Sequence, residues 1–199
     1  MRRRTLPLLA ALLLAMAAAC GHRGPVAGAP LVAVVTPSIP PKAVVRFRHR
    51  LRIHLESGTL ERKAARRAGV ARELAAAERA VLRRLGYRVV PGPEMHRAEA
   101  VLRRAERLDL AALRRSLGAD RLLLTTVRRW EEAPVGGPPN RVVVTLEASL
   151  HDLHTGRLLW HGRLRAAEVE TPTELQRGQA DLARAAAAAA LREVPPPGR

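Results

Sequence analysis

Aromatic residues are scarce: Phe47, Tyr87, Trp130 and Trp160 are the whole complement of a 199-residue chain. Any core must therefore be built from Leu, Val and Ala, which the 47% hydrophobic content supplies. Lysine is limited to Lys42 and Lys63, so the formal charge of +17 is carried almost wholly by arginine. Arginine enriched together with Ala, Leu, Gly and Pro is also what GC-rich coding produces, and charge alone is a weak pointer to a partner. Cysteine occurs once, at Cys20, which excludes an internal disulfide. The four serines, Ser38, Ser57, Ser116 and Ser149, lie in no Gly-x-Ser-x-Gly elbow. A phosphate loop, a dinucleotide fingerprint and a cysteine-based metal pattern are missing as well. The expectation is a non-enzymatic protein without metal or catalytic set.

What is present begins at the amino terminus. "MRRR" is a positive leader, "TLPLLAALLLAMAAA" is an apolar run too short for a comfortable membrane span, and Cys20 follows directly. A lone thiol in an exported chain is odd unless something consumes it, and a thioether-linked lipid does so. The segment "MAAAC" resembles a bacterial lipobox, with Ala17 where Leu usually stands. The resemblance implies a lipoprotein signal peptide over 1–19, covalent diacylglycerol and N-acyl lipid (palmitate-type chains) on Cys20, and no other cofactor. Removal of Arg2, Arg3 and Arg4 lowers the charge from +17 by three, to +14. Gly21 in place of Asp implies an outer-membrane destination, with the domain lipid-anchored and facing the periplasm. Two or three acyl chains anchor stably at about 0.8 kcal/mol per buried CH₂. Residues 20–30, ending in "GHRGPVAGAP", read as a flexible tether, 31–194 as one domain, and 195–199 as a disordered tail.

Along the domain, "LVAVVTP" (31–37) is an apolar run ended by proline and reads as a buried strand. From Val45 to Leu55 the residues alternate. Val45, Phe47, Leu51, Ile53 and Leu55 fall on one face, and Arg46, Arg48, Arg50 and Arg52 on the other, with a helix as the alternative. The Arg face is a candidate surface for an anionic partner such as lipid head groups or lipopolysaccharide. From Thr59 to Leu85 apolar residues recur at helical spacing: Ala64, Ala68, Ala71, Ala75, Leu82 and Leu85, with Leu74 and Val81 beside them. Gly69 is a candidate break and Gly86 a carboxyl cap before the short strand "YRVVP". Pro93 opens a further helix, and Asp109 caps "LAALRRSL", which Gly118 stops. Then come three extended runs, "RLLLTTVRRW", "NRVVVTLEASLHD" and "GRLLWHGRLRAAEVE", set as consecutive hairpins. Thr171 as cap, Pro172 at the first helical position and Glu174 closing a capping box start a last helix running through "LARAAAAAALREV". The fold class is α/β, an α+β sandwich: a mixed sheet with helices packed on it, a carboxyl-terminal antiparallel three-strand meander, and a terminal helix.

The densest chemistry is "HDLHTGRLLWHG" (151–162). His151, His154 and His161 do not share the i, i+2 spacing that aims side chains together from a strand. A further metal ligand would have to come from His22, His49, His54 or His96, which no spacing pairs. A hairpin explains more. Asp152 accepts backbone N–H bonds, Thr155 is exposed, Gly156 takes a positive φ, and Leu158 and Trp160 (or Leu159) pack inward. Glu168 and Glu170 read as a charged edge. Glu131 and Glu132 read as solvated at a loop mouth.

"LGADRLLLTTVRRW" followed by "LHDLHTGRLLWHG" resembles a pattern in bacterial envelope lipoproteins. That group has an α/β domain like the amino-terminal domain of TolB and includes relatives of the curli secretion lipoprotein CsgG. Gly118, Ala119, Asp120, Asp152, Thr155, Gly156, Leu159 and Trp160 carry the match, which covers roughly 86–165. The segment 38–58 departs from it and leaves the sheet order open there. The resemblance implies an outer-membrane accessory or structural component of envelope assembly, secretion or export. Its expected partners are envelope proteins and further copies of itself, not nucleic acid. A regulator of a peptidoglycan synthase is the alternative, for which a tether of at most about 35 Å is short. A periplasmic hydrolase using His151, Asp152 or Glu168 ranks below both.

Overall fold

The computed structural model describes residues 28–47, 59–102, 110–133, 140–172 and 178–198. Cys20, the tether to residue 27, and Arg48, Arg50 and Arg52 lie outside them, as do His22, His49, His54, Asp109 and Glu174.

The chain begins with β1 (Leu31–Val34) and β2 (Val44–Arg46), then enters a long helix, α1 (Thr59–Arg84). A two-residue strand β3 (Arg88–Val89) leads to α2 (Gly92–Leu102) and α3 (Leu110–Leu117). Three long strands follow, β4 (Arg121–Glu132), β5 (Arg141–Asp152) and β6 (Leu158–Glu170), before α4 (Gln179–Ala190). The sheet runs β3-β1-β4-β5-β6. β3, β1 and β4 are parallel, and β4, β5 and β6 form the expected antiparallel meander. The sheet is mixed, with helices packed on it, and the fold is of the α+β class.

The order around 38–46 resolves simply. β1 lies parallel to the start of β4 (Val32 opposite Arg121) and β2 parallel to its end (Val45 opposite Trp130), with a bridge from Ser38 to Thr126 between them. Residues 31–46 thus form one interrupted strand along β4. Proline at 37, 40 and 41 interrupts the pairing, since proline cannot donate to a ladder.

α1 and α4 cover one face of the sheet. Their contact surface unites Val70, Leu74, Val81 and Leu82 of α1 with Leu182, Ala183, Ala186 and Ala187 of α4 and with Val142, Val144, Leu146 and Leu150 of β5. Trp130 is fully buried there. The alanine run is what allows this closeness, because small side chains let the helix axis approach both the sheet and α1. Gly162 on β6 shows how tight the fit is. A Cβ there would collide with the Trp160 indole and come within 3.2 Å of the Ala190 carbonyl. α2 and α3 cover the other face near β1 and the start of β4, with Met95, Ala98 and Leu113 packed on Ala33 and Leu122.

Local signals in the sequence have identifiable consequences. Gly86 (φ +92) ends α1 in a Schellman cap, in which Tyr87 N–H donates to Leu82 C=O and Gly86 N–H to Arg83 C=O, both at 3.0 Å. Gly69 does not break α1; a Cβ there would sit 3.0 Å from Gln179 Oε1, so glycine lets the start of α4 lie against the helix.

Three expectations are corrected. Thr171 is not the cap of the described last helix. α4 starts after Gly178, whose N–H donates to the Asp181 carboxylate at 3.2 Å. Thr171 is instead buried, with its N–H on Asn140 C=O at 2.9 Å, closing the end of the β5–β6 ladder. The helix also ends at Ala190, although Leu191 and Val194 remain in the core. Finally, Ala64 and Ala68 lie on the apolar stripe of α1 yet are exposed; the core contacts of this helix begin at Val70.

Candidate functional site

The hairpin stretch is a structural turn. The Asp152 carboxylate accepts the N–H groups of His154 and Thr155, both at 2.8 Å, and the Thr155 hydroxyl at 3.0 Å. The Thr155 backbone bond leads the set of interactions that hold the Asp152 carboxyl below the usual carboxylate range. Gly156 has φ +70 and donates to Asp152 C=O. Trp160 packs against the core, but Leu158 and Leu159 do not: they are 55% and 39% exposed. The cause is a register shift, with Leu150 opposite Trp160 but His151 opposite Leu158, which takes Leu158 off the face that Trp160 occupies.

The histidines do not converge. His151 bonds Ser149 Oγ at 3.0 Å, His154 Nε2 lies 3.4 Å from Asp120 Oδ1, and His161 is exposed. No group of three or more His, Cys, Asp or Glu placed to hold a metal occurs among the described residues.

The two halves of the lipoprotein-like motif meet in space. Asp120 Oδ2 accepts the Leu31 N–H at 2.8 Å, Asp120 N–H donates to Leu31 C=O, and Leu153 N–H donates to Asp120 C=O, each also at 2.8 Å. One aspartate therefore fastens the start of β1 to the turn of the β5–β6 hairpin. Sequence reading placed both motifs but neither their contact through Leu153 nor the bond from Leu31, which spans 89 residues, since no local pattern encodes such pairings.

The acidic candidates are engaged structurally. Glu131 is not solvated. Its carboxylate pairs with Arg46 at 3.3 Å and with Arg129, and its side chain is 14% exposed. Arg46, the one described member of the Arg face, is thus tied at its head while its side chain stays 78% exposed. Glu168 bonds Arg141 at 2.7 Å, and Glu170 bonds the same guanidinium. Together with Arg163–Glu147 at 3.1 Å, these pairs line the open edge strand β6.

Two features escaped the sequence reading. Glu78 is fully buried, takes the Thr125 hydroxyl on Oε1 at 2.7 Å, and leaves Oε2 without a hydrogen-bond partner among the described residues. Burial pushes its carboxyl up to about 8, against smaller opposing effects of Thr125 and Arg79. The signal was available: Glu78 stands seven residues after Ala71 and four before Leu82, on the apolar stripe itself.

The second feature is a cleft of about 380 Å³ between α1, the chain leaving β1, and α2. Thr36, Pro37 and Ile39 line one wall, Arg67, Ala68, Ala71 and Arg72 of α1 another, and His96 of α2 closes it. Beside it the buried Glu99 accepts the Thr36 N–H at 2.5 Å. No helix among the described residues is long and apolar enough to cross a membrane.

No family model matches the chain, and no curated protein matches it. Solved structures resemble it at low identity, and they include bacterial lipoproteins. Lipoprotein GNA1162 from Neisseria meningitidis is 18% identical with a TM-score of 0.38, over 70% of this chain and 81% of that one. The PelC dodecamer from Paraburkholderia phytofirmans is 16% identical with a TM-score of 0.44, over 84% and 89%. The LpoB C-terminal domain from Escherichia coli is 16% identical with a TM-score of 0.34, over 68% and 80%. Likeness of this degree carries no argument about what this chain does.

Proposed function

We propose that this protein is a lipid-anchored accessory or structural component of the bacterial outer membrane, working in the periplasm by binding rather than catalysis. The observation that carries the reading is the amino-terminal layout, a basic leader and a short apolar run ending at the chain's sole cysteine. The TolB-like and CsgG-related grouping implied by the motif belongs to the same proposal. A binding role is supported by the fate of the acidic residues that an enzyme would need. Asp152 holds a turn, and Glu131, Glu168 and Glu170 hold arginines on neighbouring strands. Partner contact is supported by β6, an edge strand whose ladder groups on one side face no other strand among the described residues. Charges guard it over Arg163–Glu170, whereas Leu158 and Leu159 leave its first turn apolar and exposed.

The test is crosslinking in living cells of the native host, followed by affinity purification and mass spectrometry, with Cys20→Ser as the unlipidated control. Partners from a secretion or export system, recovered only with the cysteine present, are the expected result. Recovery of a peptidoglycan synthase would replace this reading with the regulatory one. Unchanged outer-membrane fractionation of the Cys20→Ser protein would refute the lipid anchor.

A further inference from the structure

We propose that the cleft between α1, the β1 exit and α2 is a binding site for a phosphate group carried on a small apolar body. Its position follows from topology. β1 and β3 are adjacent and parallel, but α1, which follows β1 and β2 in the chain, packs on one face of the sheet, and α2, which follows β3, packs on the other. Such a divergence opens a crevice at the carboxyl ends of the strands, the usual ligand position in sheets with parallel strands. Here Thr36 stands two residues past the end of β1, α1 supplies one wall and His96 of α2 the other.

The lining chemistry selects the ligand. Arg67, Ala68, Ala71 and Arg72 are spaced i, i+1, i+4 and i+5, so they form one patch on α1 with arginines at two corners and alanines between. The alanines, with Pro37 and Ile39, make an apolar floor, and no carboxylate lines the cleft among the described residues. The nearby acid, Glu99, has an oxygen engaged by the Thr36 N–H. Arg67 reaches the carbonyls of Pro41 and Ala43 at 3.3–3.5 Å, which steadies the loop after β1. Arg72 is exposed and has no hydrogen-bond or ion-pair partner among the described residues. A free guanidinium beside a tethered one, with a hydroxyl and an imidazole opposite, offers the several donors that a tetrahedral oxyanion accepts.

A free phosphate compound and a phospholipid head group share this chemistry. The test is calorimetric titration of the full chain, in a neutral maltoside detergent at physiological salt, with inorganic phosphate and separately with dihexanoyl phosphatidylglycerol. Saturable binding at one site is expected, weakened about tenfold by Arg72→Ala and abolished by Ala68→Asp, with both variants keeping the parent's circular dichroism. Arg192→Ala, at an exposed position past α4, should leave the affinity unchanged. Tighter binding of the lipid than of phosphate points to a head group; equal binding points to a soluble phosphate compound. Absence of saturable binding, or equal weakening by Arg192→Ala, overturns the proposal. Neither result bears on the lipid anchor, which the crosslinking and fractionation test separately.

Discussion

Replacing Glu78 by Gln should make the protein's stability much less sensitive to pH. The wild-type carboxyl has an ordinary value of 4.5 when exposed and about 8 in the fold, where burial opposes its charged form. A group raised on folding contributes stability fully below pH 4.5 and loses it as pH climbs to about 8. At roughly 1.4 kcal/mol per unit, the loss between pH 5 and pH 8 is about 3 to 4 kcal/mol, a large share of a typical domain's 5–15 kcal/mol. Gln keeps the acceptor that receives the Thr125 hydroxyl and cannot ionise, so this slope vanishes. The assay is urea unfolding of the purified full chain at pH 5, 6.5 and 8, followed by fluorescence of the buried Trp130. The difference between variant and wild type should move in favour of the variant by about 3 to 4 kcal/mol over that range. Taking the difference cancels every other titrating group. A gap that stays constant from pH 5 to pH 8 would refute the reasoning, because it would mean that Glu78 ionises as an exposed carboxyl does.

Gly162→Ala should destabilise by about 1–3 kcal/mol, read as a lower urea midpoint, because its methyl group must displace Trp160 or the end of α4. Asp120→Ala should cost about 1–3 kcal/mol and accelerate amide exchange at Leu31, while Asp120→Asn, which retains an acceptor, should recover most of the loss. Tyr87→Phe removes the 2.6 Å bond from the phenol to Pro195 C=O and the 3.0 Å bond from Arg121. It should cost about 1 kcal/mol and speed proteolysis after Val194. The same bond places Pro195 against the domain, at the start of the segment that sequence reading treats as a tail.

Legibility in the sequence followed the range of the interaction. The meander was readable because period-two alternation in Val142, Val144, Leu146, Ala148 and Leu150 is local, and those residues are at most 1% exposed. The caps at Gly86 and Gly118 were readable because a positive φ has few occupants. The start of α4 was not. Thr171, Pro172 and Glu174 form a good local start signal, but the ladder claims Thr171 through Asn140, and tertiary pairing outweighs a cap of about 1 kcal/mol. Leu158 was misplaced for a similar reason. Strict alternation presumes an unbroken register, and the shift between Leu150 and His151 breaks it.

The candidate site was the least legible part, and the reason lies in what motifs encode. Gly118, Asp120, Asp152, Thr155 and Gly156 stand out in sequence because each occupies a turn or bond that few other residues could fill. Residues engaged in this way hold β1, β4 and the hairpin together, and few of their polar groups are left over for a ligand. The cleft shows the opposite pattern. Thr36, Arg72 and His96 come from three separate segments and have no shared spacing, and Arg72 sits in a helix already rich in arginine. In a chain where arginine is the commonplace cation, a single functional arginine has no compositional contrast. What marks Arg72 is position: it stands on the cleft wall without a partner among the described residues, whereas Arg46, Arg129, Arg141, Arg163 and Arg184 are held by carboxylates elsewhere. That position exists only once the fold has set α1 against the chain leaving β1 and against α2. A sequence-level search for function in this protein is therefore drawn to the residues that build it, and away from the cleft they create.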